Sequence, residues 1–217
     1  MSKIIVLMGA PGAGKGTQAR LLQERLSLPQ ISTGDMFRAI MKTETPLAEE
    51  LRPILKAGTL VPDELTMNVV RERTSQPDCR AGYVLDGYPR TTAQAEMLEG
   101  LASEQGHALL AVLVDVPSGI LERRTTGRRN CPVCNEIYNV YTKPPKVDNV
   151  CDNHPDVQLN HRADDYPETV KTRLATYERQ TQPLLEYYER TGRLRRVDGA
   201  RAVEAIYADV EAAVNGE

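Results

Sequence analysis

The nine residues Gly9-Ala10-Pro11-Gly12-Ala13-Gly14-Lys15-Gly16-Thr17 constrain this chain more than any other segment. They match the pattern G-x-x-x-x-G-K. An apolar run, Ile4 to Met8, precedes them. A stretch from Thr17 to Leu26 follows, with Ala19, Leu21, Leu22 and Leu26 at helical spacing. A buried strand, a glycine turn and an amphipathic helix open an α/β fold with a parallel sheet. Glycines let successive backbone N–H groups turn inward as an anion nest, and the next helix aims its positive end at the same point. Gly12, Ala13, Gly14, Lys15, Gly16 and Thr17 are therefore the candidate polyphosphate contacts, with Lys15 adding a full positive charge. One detail departs from the common pattern. The hydroxyl that usually follows the lysine arrives one position late, on Thr17, so its metal-binding role does not transfer automatically.

The strand-then-helix theme recurs along the 217 residues. Short strands are expected at 29–31, 82–86, 108–116 and 194–198, and helices at 32–41, 91–101 and 202–214. With 3–8, that gives five strands. Two stretches break the pattern. Residues 32–61 read as helical with no strand of their own. Residues 128–165 hold three cysteines, four prolines and two histidines. A structureless loop that long is uncommon inside a domain, so a small lid with its own staple is expected there. The chain then divides into a core of 1–31, 62–127 and 166–217, with inserts at 32–61 and 128–165.

The staple is legible in the second insert. Cys131 and Cys134 form a C-x2-C knuckle, and after sixteen intervening residues come Cys151 and His154, again separated by two. This spacing suits a tetrahedral structural zinc site with three thiolates and one imidazole. The fourth ligand is the least determined, since Asp152, Asp156 and His161 stand nearby. Four ligands leave no open position, so such a zinc is structural. Cys79 falls in a loop-like stretch and has no assigned role. His107 reads as a turn residue before a strand.

Charge and composition remove other classes. Lys plus Arg is 27 and Asp plus Glu is 30, a net charge of −3. A zinc knuckle alone can suggest nucleic-acid binding, but this acidic balance and the glycine loop argue against it. The N-terminal apolar run is too short for a membrane span or a secretory signal. A cytoplasmic protein with reduced thiols and no membrane association is the expectation.

Four further segments make the pattern specific: Ser32-Thr33-Gly34-Asp35-Met36-Phe37-Arg38, Gly58-Thr59-Leu60-Val61-Pro62-Asp63, Leu85-Asp86-Gly87-Tyr88-Pro89-Arg90, and Gly127-Arg128-Arg129 before the cysteine insert. Together with the glycine loop they resemble the adenylate kinase family, in its long form with a zinc-binding lid, over nearly the whole chain. The resemblance implies a P-loop fold with a five-stranded parallel sheet flanked by helices, a helical AMP-binding insert at 32–61, and a lid over ATP at 128–165. It implies Mg²⁺-dependent, reversible transfer of the ATP γ-phosphoryl group to AMP, giving two ADP, by a monomer.

The residue roles follow from the same resemblance. Arg38 and Arg90 hold the AMP phosphate, and Arg128, Arg162 and Arg173 hold the transferring group. Arg124 stacks on the ATP adenine, Ile137 and Tyr138 are lid positions near ATP, and Arg201 meets the adenine through its backbone. Thr33, Thr59, Leu60, Val61, Gly87, Tyr88, Pro89 and Gln94 surround AMP, with Gln94 on the adenine edge. Lys15, Arg90, Arg128, Arg162 and Arg173 are the candidate catalytic set. Arginine suits this chemistry because its planar fork binds phosphate oxygens bidentately and keeps its charge. Arg124 and Arg128 are four apart and share a face if one helix reaches both. Asp86 ends an apolar strand beside the glycine loop, where a carboxylate can hold Mg²⁺ through its water shell or cap a helix. Tyr88 stands where many relatives carry Phe. No general base stands out, and an acceptor that is already a phosphate oxygen does not require one.

Overall fold

A computed structural model describes residues 2–216. In chain order the elements are β1 (Lys3–Met8), α1 (Lys15–Leu26), β2 (Gln30–Ser32), α2 (Thr33–Ile40), α3 (Pro46–Ala57), α4 (Asp63–Thr74), β3 (Gly82–Asp86), α5 (Thr92–Gln105), β4 (Ala108–Asp115) and α6 (Ser118–Thr126). The second insert carries β5 (Arg128–Asn130), β6 (Ile137–Asn139), β7 (Val150–Cys151) and β8 (His154–Gln158). After it come α7 (Pro167–Thr176), a π-turn at Tyr177–Thr181, α8 (Pro183–Arg190), β9 (Leu194–Asp198) and α9 (Val203–Asn215).

The expected five-stranded parallel sheet is present, in the order β2-β3-β1-β4-β9. Its central strand shows why. In β1, Ile4, Val6 and Met8 point into one apolar cluster, while Ile5 and Leu7 point into another on the opposite face. All five are at most 3% exposed. A strand that must be apolar on both faces belongs in the middle of a helix-covered sheet. Each such side chain contributes about 1.5–3 kcal/mol when fully buried.

Helix starts follow local chemistry. Ser32 Oγ, Thr45 Oγ1 and Thr91 Oγ1 accept from the backbone N–H three residues on, capping α2, α3 and α5. Four helices, α4, α6, α7 and α8, were not named from the sequence, and the elements that were named differ mainly at their ends. α1 begins two residues early, at Lys15, because left-handed Gly14 serves as its N-cap. α5 runs on to Gln105, where Gly106 stops it in the left-handed conformation. α6 ends at Thr126, so Arg124 and Arg128 do not share a helix; Arg128 opens β5 instead.

Cys79 was expected in a loop without a role. It sits in a short 3-10 turn but is 1% exposed and packs into the main core. His107 does precede β4, with its ring edge-on to Tyr83 and Nδ1 bonded to Ser2 Oγ at 2.6 Å.

Each insert has its own small core. Phe37, Leu51 and Val61 are the buried centre of the first, with Leu65 and Val69 of α4 packed against it. Cys131, Tyr138, Cys151 and Leu159 form the centre of the second, around two two-stranded antiparallel ribbons.

Candidate active site and metal centre

The carboxyl ends of the parallel strands carry the site, at the centre of the sheet where connections leave in opposite directions. The glycine loop leaves β1 there. Gly14 has φ +99° and no side chain caps the first turn of α1, so its N–H donors remain available to an anion. Gly12 has φ +86°, and a Cβ on it would lie 2.5 Å from Thr125 Oγ1 and 2.8 Å from the Leu121 carbonyl. The loop is thus packed directly on α6.

Lys15 folds back into its own loop, donating to the carbonyls of Gly9 at 2.7 Å and Ala10 at 3.1 Å. Burial lowers its pKa to about 8, and the charges of Arg90, Arg173 and Arg128 push the same way against Asp86. The Asp86 carboxylate ends β3 against α1: a Cβ on Gly16 would be 3.2 Å from Asp86 Oδ2. Among the described residues it makes no ion pair within 4.0 Å.

A cleft runs from this loop to the first insert, lined by Lys15, Arg90 and Arg173 and by Leu60, Gly87 and Pro89. Arg90 Nε donates to Gly87 O at 2.7 Å, and Thr33 Oγ1 donates to the same carbonyl at 3.0 Å. Gly87 has φ +85°, and a Cβ there would lie 2.9 Å from both partners, so only glycine fits. Burial lowers the Arg90 pKa to about 10, aided by Arg173, and burial with Arg128 and Arg38 does the same for Arg162.

The remaining arginines converge through two carboxylates that the sequence reading missed. Asp165 is completely buried and accepts two bonds from Arg128, at 2.6 and 2.8 Å, and one from Arg173 at 3.0 Å. Asp164 pairs with Arg173 at 3.0 Å and stands 3.8 Å from Arg38, which also binds Asp35 at 2.6 Å. No spacing marks them in the sequence, since their partners Arg38, Arg128 and Arg173 come from separate elements.

Other expected contacts divide. Arg124 donates to Gly199 O at 3.0 Å, joining α6 to the loop that holds Arg201. The Arg201 side chain turns outward to Asp198 and Asp209, leaving only its backbone for a nucleotide. Thr59 Oγ1 is taken by Ile54 O, and the Val61 side chain is 6% exposed in the insert's own core. Tyr88 is 1% exposed, with its hydroxyl donating to Gln94 O at 3.1 Å; it braces Gln94 instead of lining the cleft. Tyr138 also departs from expectation. Its ring is 2% exposed, and its hydroxyl accepts from Asp152 N at 2.9 Å and lies 3.6 Å from Cys151 Sγ. Ile137, beside it on β6, is only partly buried.

The three thiols and His154 form one cluster, with their ligand atoms all within 4.8 Å of one another. Cys134 Sγ–Cys151 Sγ and Cys151 Sγ–His154 Nδ1 are both 3.7 Å, and Cys131 Sγ–His154 Nδ1 is 3.9 Å. A tetrahedron with zinc–sulfur bonds of about 2.3 Å has edges of about 3.8 Å. The donor set therefore fits zinc. Asp152, Asp156 and His161 are not in that group: Asp152 Oδ1 accepts from Lys146 N at 2.8 Å, and the His161 ring lies tilted at 52° against Tyr166. Burial pushes the Cys151 thiol up, but hydrogen bonds from His154 and Tyr138 outweigh it and bring its pKa to about 6, favouring the thiolate a metal needs.

A phosphate nest, a lysine and a ring of arginines between two inserts define a P-loop phosphotransferase of the nucleoside monophosphate kinase class. The adenylate kinase family model matches residues 7–193. An adenylate kinase of Shouchella clausii is 50% identical over 209 residues, covering 96% of each chain. Those of Bacillus subtilis and Thermotoga maritima are each 47% identical, covering 98% of both chains and 97% and 96% respectively. The chain belongs to the adenylate kinase family.

Proposed function

We propose that this chain transfers the γ-phosphoryl group of ATP reversibly to AMP, giving two ADP, with Mg²⁺ required. The observation that carries this reading is the convergence of Lys15, Arg90 and Arg173 on one cleft, with Arg128 and Arg38 tied to it through Asp165 and Asp164 and Arg162 within their electrostatic reach. That charge density suits two polyphosphates facing each other and exceeds the need of one.

In this reading residues 128–165 are the lid over ATP, residues 32–61 are the AMP insert, and the rest is the core. Gly12 to Thr17 hold the ATP phosphates, with Arg124, Ile137 and the Arg201 backbone around its base. Arg38 and Arg90 hold the AMP phosphate. Thr33, Thr59, Leu60, Val61, Gly87 and Pro89 shape that pocket, and Gln94 reads the base. Lys15, Arg128, Arg162 and Arg173 follow the transferring group and neutralise its equatorial oxygens in a loose transition state. Substrate phosphates replace Asp164 and Asp165 as arginine partners, so the ring of charge is already in place before the reaction. Closure excludes water, which would otherwise compete as acceptor. Bound Mg²⁺ would supply charge neutralisation to the ATP phosphates, and the hard carboxylate of Asp86 suits its hydration shell. Zinc on Cys131, Cys134, Cys151 and His154 would fix the lid without entering the chemistry. We further infer a monomer working in the cytoplasm, where the thiols stay reduced. None of the described helices is long and apolar enough to cross a membrane.

The test is a phosphotransfer assay of ATP with AMP, UMP and CMP, with and without Mg²⁺. Rapid conversion of ATP and AMP to ADP only with Mg²⁺ is expected. Preference for UMP would overturn the substrate assignment.

A further inference from the structure

Gln94 is 2% exposed, and every polar group it owns is held. Its backbone N–H donates to Thr91 Oγ1 at 3.1 Å, and its carbonyl accepts from the Tyr88 hydroxyl at 3.1 Å. Its side-chain Oε1 accepts from Arg90 N at 2.7 Å, and Nε2 donates to Asp63 Oδ1 at 2.7 Å. The second Asp63 oxygen, Oδ2, accepts from Thr91 Oγ1 at 3.1 Å. Asp63 thus grips both the side chain of Gln94 and the residue that caps its helix.

This arrangement fixes which way the amide faces. Asp63 only accepts, and Arg90 N–H only donates. Rotating the amide by half a turn would set oxygen against carboxylate and NH2 against N–H, replacing two hydrogen bonds with two repulsions. One lone pair of Oε1 and one hydrogen of Nε2 then remain unused, in a fixed order. An amide in that state pairs with an edge that presents an amino donor beside a ring-nitrogen acceptor, the pattern of adenine. A 6-oxopurine presents a carbonyl where adenine has its amino group, so the order is wrong for it.

We propose that Asp63 is a positioning residue for base discrimination: by locking the Gln94 amide it sets the enzyme's preference for a 6-aminopurine over a 6-oxopurine monophosphate. The proposal rests on the reading above that Gln94 meets the base of the acceptor. Asp63 is the first residue of α4, two positions after the AMP insert, so the lock also joins α4 to α5. Without it, an amide buried beside Arg90 keeps one anchor and can turn.

The experiment measures kcat and KM for AMP, for inosine monophosphate and for ATP in wild type, Asp63→Ala and Asp63→Asn, with melting temperatures alongside. Asp63→Ala is expected to raise the AMP KM about tenfold, the scale of one lost hydrogen bond, and to narrow AMP-over-inosine selectivity by a similar factor. Its kcat and ATP KM should hold. Asp63→Asn keeps an acceptor for Nε2 and should retain most selectivity. An AMP-selective wild type whose Asp63→Ala variant keeps its selectivity overturns this inference alone. So does a parallel fall in every kinetic parameter together with melting temperature, which marks a merely structural role. A wild type that uses inosine monophosphate as well as AMP overturns the substrate reading, and this inference with it.

Discussion

Arg20 on α1 donates to Glu136 in the metal lobe, with Nη1 and Oε2 2.9 Å apart. The helix that begins at the phosphate loop is thereby tied to a residue two positions beyond Cys134. Both side chains are about three-quarters buried, at 28% and 21% exposed, and Lys143 pairs with Glu136 from within the lobe. A charge pair that spans the core and the proposed lid opposes opening. Arg20→Ala and Glu136→Gln should each raise the ATP KM a few-fold, with a coupling of about 0.5–1 kcal/mol in the double-mutant cycle. Added salt should reduce the wild-type advantage. Strictly additive effects would show that the pair does not hold the lobe.

Lys15 gives a pH dependence with a definite sign. Its folded pKa is near 8, below the ordinary 10.5, because the ammonium is buried among arginines. Between those two values the unfolded chain binds more protons, so this group adds stability as pH rises from about 8 to about 10. Phosphate binding needs the charged form. Nucleotide KM should therefore rise above pH 8 while the melting temperature does not fall on account of this group. Lys15→Met should remove that KM trend and cut kcat by about 10²–10³-fold with an unchanged circular-dichroism spectrum.

Asp165 is fully buried between Arg128 and Arg173, so its loss strands Arg128 and leaves Arg173 to Asp164 alone. Asp165→Ala should destabilise the free enzyme by about 3 kcal/mol, read as a drop in melting temperature. Inorganic tripolyphosphate should restore more stability to this variant than it adds to wild type, because its oxygens replace the lost carboxylate.

The metal lobe predicts one zinc per chain by elemental analysis. Removing it with a chelator, or by His154→Ala, should lower the melting temperature by about 5–10 °C. Single-turnover phosphotransfer at saturating nucleotide should change much less. Equal stability with and without chelator would count against a bound metal.

Much of this was readable from the chain. The β1 pattern and the glycine loop announce the sheet, because burial on both faces leaves little choice but a central parallel strand. The cluster of Cys131, Cys134, Cys151 and His154 was readable because the residues of a tetrahedral metal site fall at fixed spacings. Asp164 and Asp165 escaped, since a carboxylate that neutralises arginines has no spacing rule; its partner Arg128 lies 37 residues away. Tyr138 and Tyr88 were expected near the nucleotides; both rings are buried, and their hydroxyls bond Asp152 N and Gln94 O. An aromatic next to a site reads the same in sequence whether it lines the cleft or props the residue that does. The Arg124–Arg128 face failed because Gly127 ends α6 between them.

The lobe centred on Cys131, Tyr138, Cys151 and Leu159 keeps its interior apart from the two clusters that flank the main sheet. Such separation makes heat tolerance and chemistry evolvable on different parts of one chain. A lineage moving to a warmer habitat can retune the thiol cluster and its ribbons while the nest, the lysine and the arginine ring stay as they are.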